Sequence, residues 1–242
     1  MAAIVGKLPK LLLMSIGTLG EKSLHAALKE WAAQPGDRFE VVLDGFVIDV
    51  VRGETLLEIQ TRHLYAMKRK LARLLPQYPV RILHPVAREK WIVRETAVGQ
   101  PISRRKSPKR GQPADVFQEL VRLTDWLPHP NLTIELLLTQ EEEIWRDDGQ
   151  GSWRRKHWSL HDHRLLAVVD RVALAETADF LTLLPPNLPD LFPNRQLAEA
   201  LSCRPALAQK ITYTLRRIQM LTIVGKEGAS YLHAIRREEG ES

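Results

Sequence analysis

Two alternating apolar runs meet at Asp44-Gly45 in FEVVLDGFVIDVVRGETLLEIQ, residues 39 to 60, and a third run follows Gly53-Glu54. Asp-Gly between alternating apolar runs is the strongest short-range hairpin signal, and Gly53-Glu54 makes a second turn. The segment predicts a three-strand antiparallel meander. Asp49 falls in its middle strand and Glu58 near the end of the third. Adjacent antiparallel strands bring such residues within reach, and two carboxylates that approach on a sheet repel unless a cation lies between them. A hard divalent ion, Mg²⁺ or Mn²⁺, answers that repulsion, since it takes one or two carboxylates and keeps waters for phosphate chemistry. The plainer alternative is an Asp on a solvent face and a solubilising Glu in a hairpin.

The flanks add to the pattern. Upstream, EKSLHAALKEWAA carries Leu24, Leu28 and Trp31 at helical spacing, with Glu21 in the first turn, where the macrodipole favours an acid for its own reasons. Gln60 follows Glu58 by two and shares its face of the strand. TRHLYAMKRKLARLLPQ then predicts a basic amphipathic helix with Leu64, Met67, Leu71 and Leu75 as its apolar stripe, and VRILHPV a further strand.

Helix, three strands, helix, strand, with these acids, resembles the PD-(D/E)XK phosphodiesterase superfamily of nucleases over roughly residues 15 to 95. The resemblance implies an α/β fold with an αβββαβ restriction-endonuclease-like core. It implies Glu21 as the helix acid, Asp49 and Glu58 as the Mg²⁺ ligands, and Gln60 in place of the motif Lys, positioning water or the scissile phosphate. Some restriction enzymes carry Glu-x-Gln there and remain active, while inactive relatives also lose the Lys. Lys68 or Lys70 on the following helix could supply the missing cation.

The chain has 242 residues and a formal net charge of +6, enough for one large domain or two modest ones and suited to a polyanionic partner. One cysteine, Cys203, excludes an intramolecular disulfide and a cysteine-built zinc site, and fits a reducing cytoplasm. The N-terminal LPKLLLMSIG is too short an apolar run to span a membrane and lacks a small-residue cleavage site.

Two breaks divide the chain into a nuclease-like domain, residues 1–175, and a smaller unit, residues 176–242. Residues 96–115 crowd Arg104, Arg105, Lys106, Lys109 and Arg110 among Gly, Pro and Ser, which predicts a mobile basic loop, solvated or in contact with DNA phosphates. From 115 to about 172, VFQELVRLTDWL predicts a helix and NLTIELLLT a buried strand. EIWRDDGQGSWRRKHW predicts a hairpin around Asp148-Gly149, and LLAVVDRVAL a further strand packed on the same sheet. His157, His161 and His163 with Asp162 offer a metal-ligand spacing but no complete set, so solvated histidines are expected. Trp145, Trp153 and Trp158 are expected to pack on the sheet rather than stack on bases.

The second break is the Pro-rich LLPPNLPDLFP, residues 183–193. Around and after it come ADFLTLL, NRQLAEALSC and PALAQKITYTLRRIQ as three helices, with Asn194 capping the second and Pro205 in the first turn of the third. LTIVGKEGASYLHAI follows as a hairpin turned at Gly225 to Gly228. This segment resembles α+β winged-helix domains. Leu207, Ile211, Leu215 and Ile218 form the buried stripe of the third helix, leaving Gln209, Lys210, Tyr213, Arg216 and Arg217 outward, with Lys226 near the wing tip. A metal-dependent DNA endonuclease is the leading expectation. A catalytically inactive DNA-binding regulator and a protein-binding adaptor are the alternatives, and a homodimer stays open.

Overall fold

The computed structural model describes residues 23–151, 153 and 158–236. The chain is of mixed α/β class. After α1 (Ser23–Ala32) come β1 (Arg38–Leu43), β2 (Phe46–Arg52), β3 (Thr55–Ile59), a 3-10 turn (Leu64–Met67) running into α2 (Lys68–Leu74), and β4 (Val80–Thr96). Asp44 and Gly45 both take positive φ, 50° and 79°, the turn whose twist matches the flanking strands and which Asp-Gly tolerates at low cost. Val50 then faces Leu57 and Arg52 faces Thr55 across the second turn.

β5 (Pro101–Lys106), β6 (Leu132–Asp147) and β7 (Ser159–Leu174) complete the large sheet. Its order is β1-β2-β3-β4-β6-β7, with β5 paired to β4. The β3–β4 and β4–β6 pairs are parallel, and the others are antiparallel. Parallel neighbours need a crossover, and α2 with its 3-10 turn supplies the first of them.

Apolar residues fill both faces of the sheet. On one, Leu24 and Leu28 of α1 bury against Val50, Leu57, Ile59, Leu83 and Leu137. On the other, Leu64, Met67, Leu71 and Leu75 join a larger cluster with Ile82, Ile134, Leu136 and Phe117. Trp31, expected in the α1 stripe, is instead 43% exposed. Both ends of α1 are tied down. Ser23 Oγ donates to Asp162 Oδ1 at 2.7 Å, while Arg52 grips Asp37 with two hydrogen bonds and the Ala32 carbonyl with another at 2.6 Å.

The basic segment is not a mobile loop. Pro101–Lys106 of it forms β5, in which Arg104 faces Val93 and Lys106 faces Trp91, while Lys109 and Arg110 follow in irregular chain. β4 runs on beyond its pairing with Ile59 at the end of β3, and β5 fills the edge this exposes. All six β5 residues are exposed, so backbone pairing and surface contacts such as Arg104 with Glu142 hold the strand, and a composition without core formers is no obstacle. The helix expected over VFQELVRLTDWL is likewise reduced to α3 (Phe117–Leu120) after a 3-10 turn (Pro113–Val116). Leu123 and Leu127 are still buried. They are reached by turns, with Leu123 N–H donating to Leu120 O at 2.8 Å and Trp126 N–H to Leu123 O at 2.8 Å.

The C-terminal part runs from a 3-10 helix (Thr177–Leu183), where an α-helix is expected, through β8 (Phe192–Pro193), α4 (Asn194–Ala200) and α5 (Pro205–Arg217) to β9 (Leu221–Glu227) and β10 (Ser230–Ile235). The short β8 pairs with β10, giving a sheet of order β8-β10-β9. Pro205 opens α5 as expected. Asn194 makes no cap; its Oδ1 accepts the Thr212 hydroxyl at 2.7 Å and fastens α4 to α5. The hairpin turns two residues later than expected, at Gly228-Ala229, where Gly228 takes φ 59° and Glu227 faces Ser230.

Phe192, Leu197, Leu207, Ile211 and Leu215 belong to the same buried cluster as Ile82 and Ile134 of the large sheet, and the Phe117 and Phe180 rings meet at 6.5 Å. The chain should therefore unfold in urea as one transition, with far-ultraviolet circular dichroism and tryptophan fluorescence superimposable. Phe117→Ala should move both curves together and cost about 3–5 kcal/mol. Two separated transitions would show that the C-terminal part folds independently.

Candidate functional site

β2 and β3 part company at Asp49 and Glu58. The ladder's last pair is Val50 with Leu57; one step further the register would set Asp49 opposite Glu58. In β3 alternate N–H groups serve the parallel neighbour, as Leu56 donates to Pro79 O at 2.9 Å and Gln60 to Leu83 O at 3.0 Å. The Ile59 N–H points the other way, toward a strand that has stopped pairing. Asp49 Oδ2 accepts it at 2.8 Å. A fork is thereby held open by the very carboxylate it presents.

Helices close on the fork from both faces. His25 of α1 places Nε2 3.4 Å from Asp49 Oδ2. Lys70 of α2 brings its ammonium onto Glu58 Oε1 and donates to the Val47 carbonyl at 2.5 Å. Glu58 is only 5% exposed. Burial pushes its carboxyl up to about 7; the Lys70 charge works against that, and the Asp49 charge adds to it. Burial also acts to raise Asp49, but His25, the Ile59 N–H and Lys70 together hold it below the usual carboxylate range. Two acids in one fork thus titrate far apart.

Of the residues the sequence singles out, Asp49 and Glu58 are brought together, and Lys70 rather than the exposed Lys68 reaches Glu58. Glu21 lies outside the described residues. Gln60 does not take the place of a motif Lys. Its amide donates to the Arg62 carbonyl, with His63 O at 3.5 Å, because β3 has ended and the chain bends back on itself. His25 escaped the sequence reading altogether; its one signal is a position four residues after Glu21 in a helix-forming stretch.

The basic residues are dispersed. Arg104 meets Glu142 at 2.7 Å with its guanidinium over Trp91, and Lys106 and Arg110 converge on Glu89. Arg105 and Lys109 are exposed. On α5, Gln209, Tyr213 and Arg217 are exposed and Lys210 and Arg216 half-buried, as its apolar stripe predicts. Arg217 reaches Asp125 at 2.8 Å, and Lys226 lies 5.0 Å over the Tyr231 ring.

His157 lies outside the described residues, and His161 is exposed. His163 departs from the expectation of a solvated side chain. It is buried, with Nε2 2.9 Å from Glu141 Oε2. Trp153 stands 76% exposed, whereas Trp145 is half-buried and Trp158 lies under Arg94. Among the described residues no group of three or more His, Cys, Asp and Glu is arranged to hold an ion, and no helix is long and apolar enough to cross a membrane.

A folded-state pKa near 7 in place of about 4.5 makes Glu58 a group whose contribution is fully present below pH 4.5 and lost as pH rises through 7. Chemical denaturation between pH 5 and 8 should show stability falling by an amount on the order of 3 kcal/mol from this group. Glu58→Gln should flatten the decline; an unaltered slope in the variant would assign the proton to another residue.

The comparisons with known proteins bear on the whole chain. Residues 22–175, α1 to the end of the large sheet, match the family described as "Domain of unknown function (DUF8091)". A Treponema pallidum (strain Nichols) protein described as "Uncharacterized protein" is 34% identical over 224 residues, covering 91% of this chain and 87% of the relative. No solved structure matches. On the extent of the match, the chain belongs to the family described as Domain of unknown function (DUF8091).

Proposed function

We propose that this protein is a metal-dependent deoxyribonuclease built on a PD-(D/E)XK-like core, which docks on DNA through a C-terminal winged helix. The observation that carries the reading is the convergence of Asp49, Glu58 and the Lys70 ammonium at the fork between β2 and β3. The donor set fits a hard divalent ion. The fork already draws a cation, since the Lys70 ammonium stands on Glu58 Oε1 beside Asp49, and Mg²⁺ satisfies itself with one or two carboxylates and several waters. Asp49 and Glu58 would hold the ion, which when bound polarises a phosphate oxygen and acidifies water.

The side chains perform the remaining tasks. Lys70 brings from α2 the positive charge that Gln60 cannot supply, next to Glu58, where the charge of a five-coordinate phosphate would build up. His25 and the Ile59 N–H fix the Asp49 carboxylate in one orientation, so little reorganisation remains for substrate binding. The exposed face of α5, with Gln209, Lys210, Tyr213 and Arg216, has the composition for a DNA groove, and Lys226 adds a cation on the hairpin. A second reading, a nuclease-like DNA-binding regulator without catalysis, is favoured by one observation: the amide of Gln60 is turned away from the acids.

Incubation of the full chain with Mg²⁺ or Mn²⁺ and mixed linear, branched and single-stranded DNA should give cleavage. Asp49→Ala and Glu58→Ala should abolish it, and Lys70→Ala should slow it by roughly 10- to 1000-fold, the range for losing one stabilising charge or donor. Gln60→Ala should stay within a few-fold of the parent. No cleavage under any condition, with DNA binding retained, would establish the regulator; cleavage surviving both carboxylate changes would remove the site.

For the docking face, duplex affinity of the full chain should fall with salt by about 0.9 in log K per log salt for each neutralised phosphate. Lys210→Ala should flatten that slope by about 1 unit. Binding indifferent to Lys210→Ala and Arg216→Ala would point α5 to a protein partner instead.

A further inference from the structure

A cleft opens where β3 ends, bordered by the turn after β3, the middle of β4 and the segment leading into α3. It measures about 460 Å³, and Thr61, Arg62, His84, Lys90, Lys109 and Glu119 are among the residues lining it. Cavities of this size hold small organic groups. Its acidic side chains are already committed. Glu143 takes the Lys90 ammonium at 2.7 Å and the Trp145 indole N–H at 3.3 Å. Glu119 accepts the Leu64 N–H at 3.1 Å, and Asp115 the Gln112 N–H at 3.0 Å.

The basic side chains are not committed in the same way. Arg62 and Lys109 are exposed, and among the described residues neither side chain has an ion-pair or hydrogen-bond partner. Lys90 uses one of its three donors on Glu143, and that carboxylate is braced from behind, with His163 at 3.9 Å and the His163–Glu141 pair beyond it. A charged network inside a sheet is costly to desolvate unless its members satisfy one another; here it holds Lys90 at the cleft. At the floor, His84 Nδ1 donates to the Gln60 carbonyl at 2.7 Å, leaving Nε2 an acceptor in the neutral ring. The unspent capacity is therefore mainly that of cationic donors. Such a site takes an anion with several acceptor oxygens, attached to a group that fills the rest of the cleft.

We infer that this cleft binds the DNA strand next to the bond cleaved at the fork, with Arg62 and Lys109 on a phosphate and Lys90 and His84 toward its nucleoside. The inference rests on the function proposed above and names how that site holds its substrate. The cleft begins at Thr61, three residues beyond Glu58. Three residues span at most about 10 Å, which corresponds to about three nucleotide steps along a strand. A strand crossing the fork would therefore enter the cleft within a few nucleotides.

Fluorescence anisotropy with a labelled 20-nucleotide DNA strand, alone and in duplex, tests this on the full chain in EDTA, so that the outcome stands whether or not the protein cleaves. Arg62→Ala and Lys109→Ala should each weaken binding by about three- to tenfold at low salt and flatten the salt slope by about 0.7 to 1 unit. Arg62→Glu should weaken it further, with melting temperatures near the parent's, since both side chains are exposed. Parent-like affinity and slope in all three variants would overturn the inference. So would dAMP binding as tightly as the strand with the same sensitivity to these changes, which would make the cleft a site for free nucleotides.

Discussion

The parallel pairing of β4 with β6 is the constraint on which the rest of the molecule hangs. It runs from Val80 opposite Leu132 to Thr96 opposite Asp147, interrupted by one bulge between Ala87 and Glu89. The other edge of β4 is shared. β3 occupies its first part and β5 its last, because β3 is only five residues long. Between them the edge is crossed by the returning chain, whose Gly111 N–H donates to the Ala87 carbonyl at 2.8 Å. A Cβ at Gly111 would sit 2.7 Å from that oxygen, so the close approach requires glycine. The fork and the cleft both exist because a short strand lies beside a long one.

That inequality also decides the electrostatics. If β2 and β3 had stayed paired, Asp49 would be one more ladder residue. Since they separate, its carboxylate substitutes for the missing carbonyl of β2, and Glu58 is left facing α2 in a nearly dry site. Hydrogen bonds lower the one acid and desolvation raises the other. The fork thus holds one carboxylate already charged and one whose charge depends on Lys70. The same logic applies at the cleft, where acids spend their capacity inward and cations keep theirs outward.

The C-terminal part does not stand apart from this frame. Its helices bury Leu207, Ile211 and Leu215 in the cluster that covers the sheet, and polar links add to the contact: Gln112 Nε2 donates to the Leu201 carbonyl at 2.9 Å, and Arg217 pairs with Asp125. Part of the basic charge counted on α5 is thus spent holding the two parts together. The outward face that remains is narrower and less basic than the sequence suggests.

Local signals settle a good deal. Asp44-Gly45 and Gly53-Glu54 close their hairpins whatever surrounds them, because the turn conformations are set by those residues themselves. The stripe Leu64, Met67, Leu71 and Leu75 is buried because periodicity alone puts it on one face. From these, the order of elements around Asp49 and Glu58, and their nearness, is legible in the sequence. Other features have no local signature. β5 forms because β4 offers an edge, and no residue within it records that. His25 reaches Asp49 only because Ser23 and Arg52 pin α1 at both ends, and Gln60 turns away only because β3 stops. Chain-local chemistry determines turns and buried stripes; which polar side chains meet depends on strand lengths and crossovers, and those are decided by pairing between segments far apart in the chain.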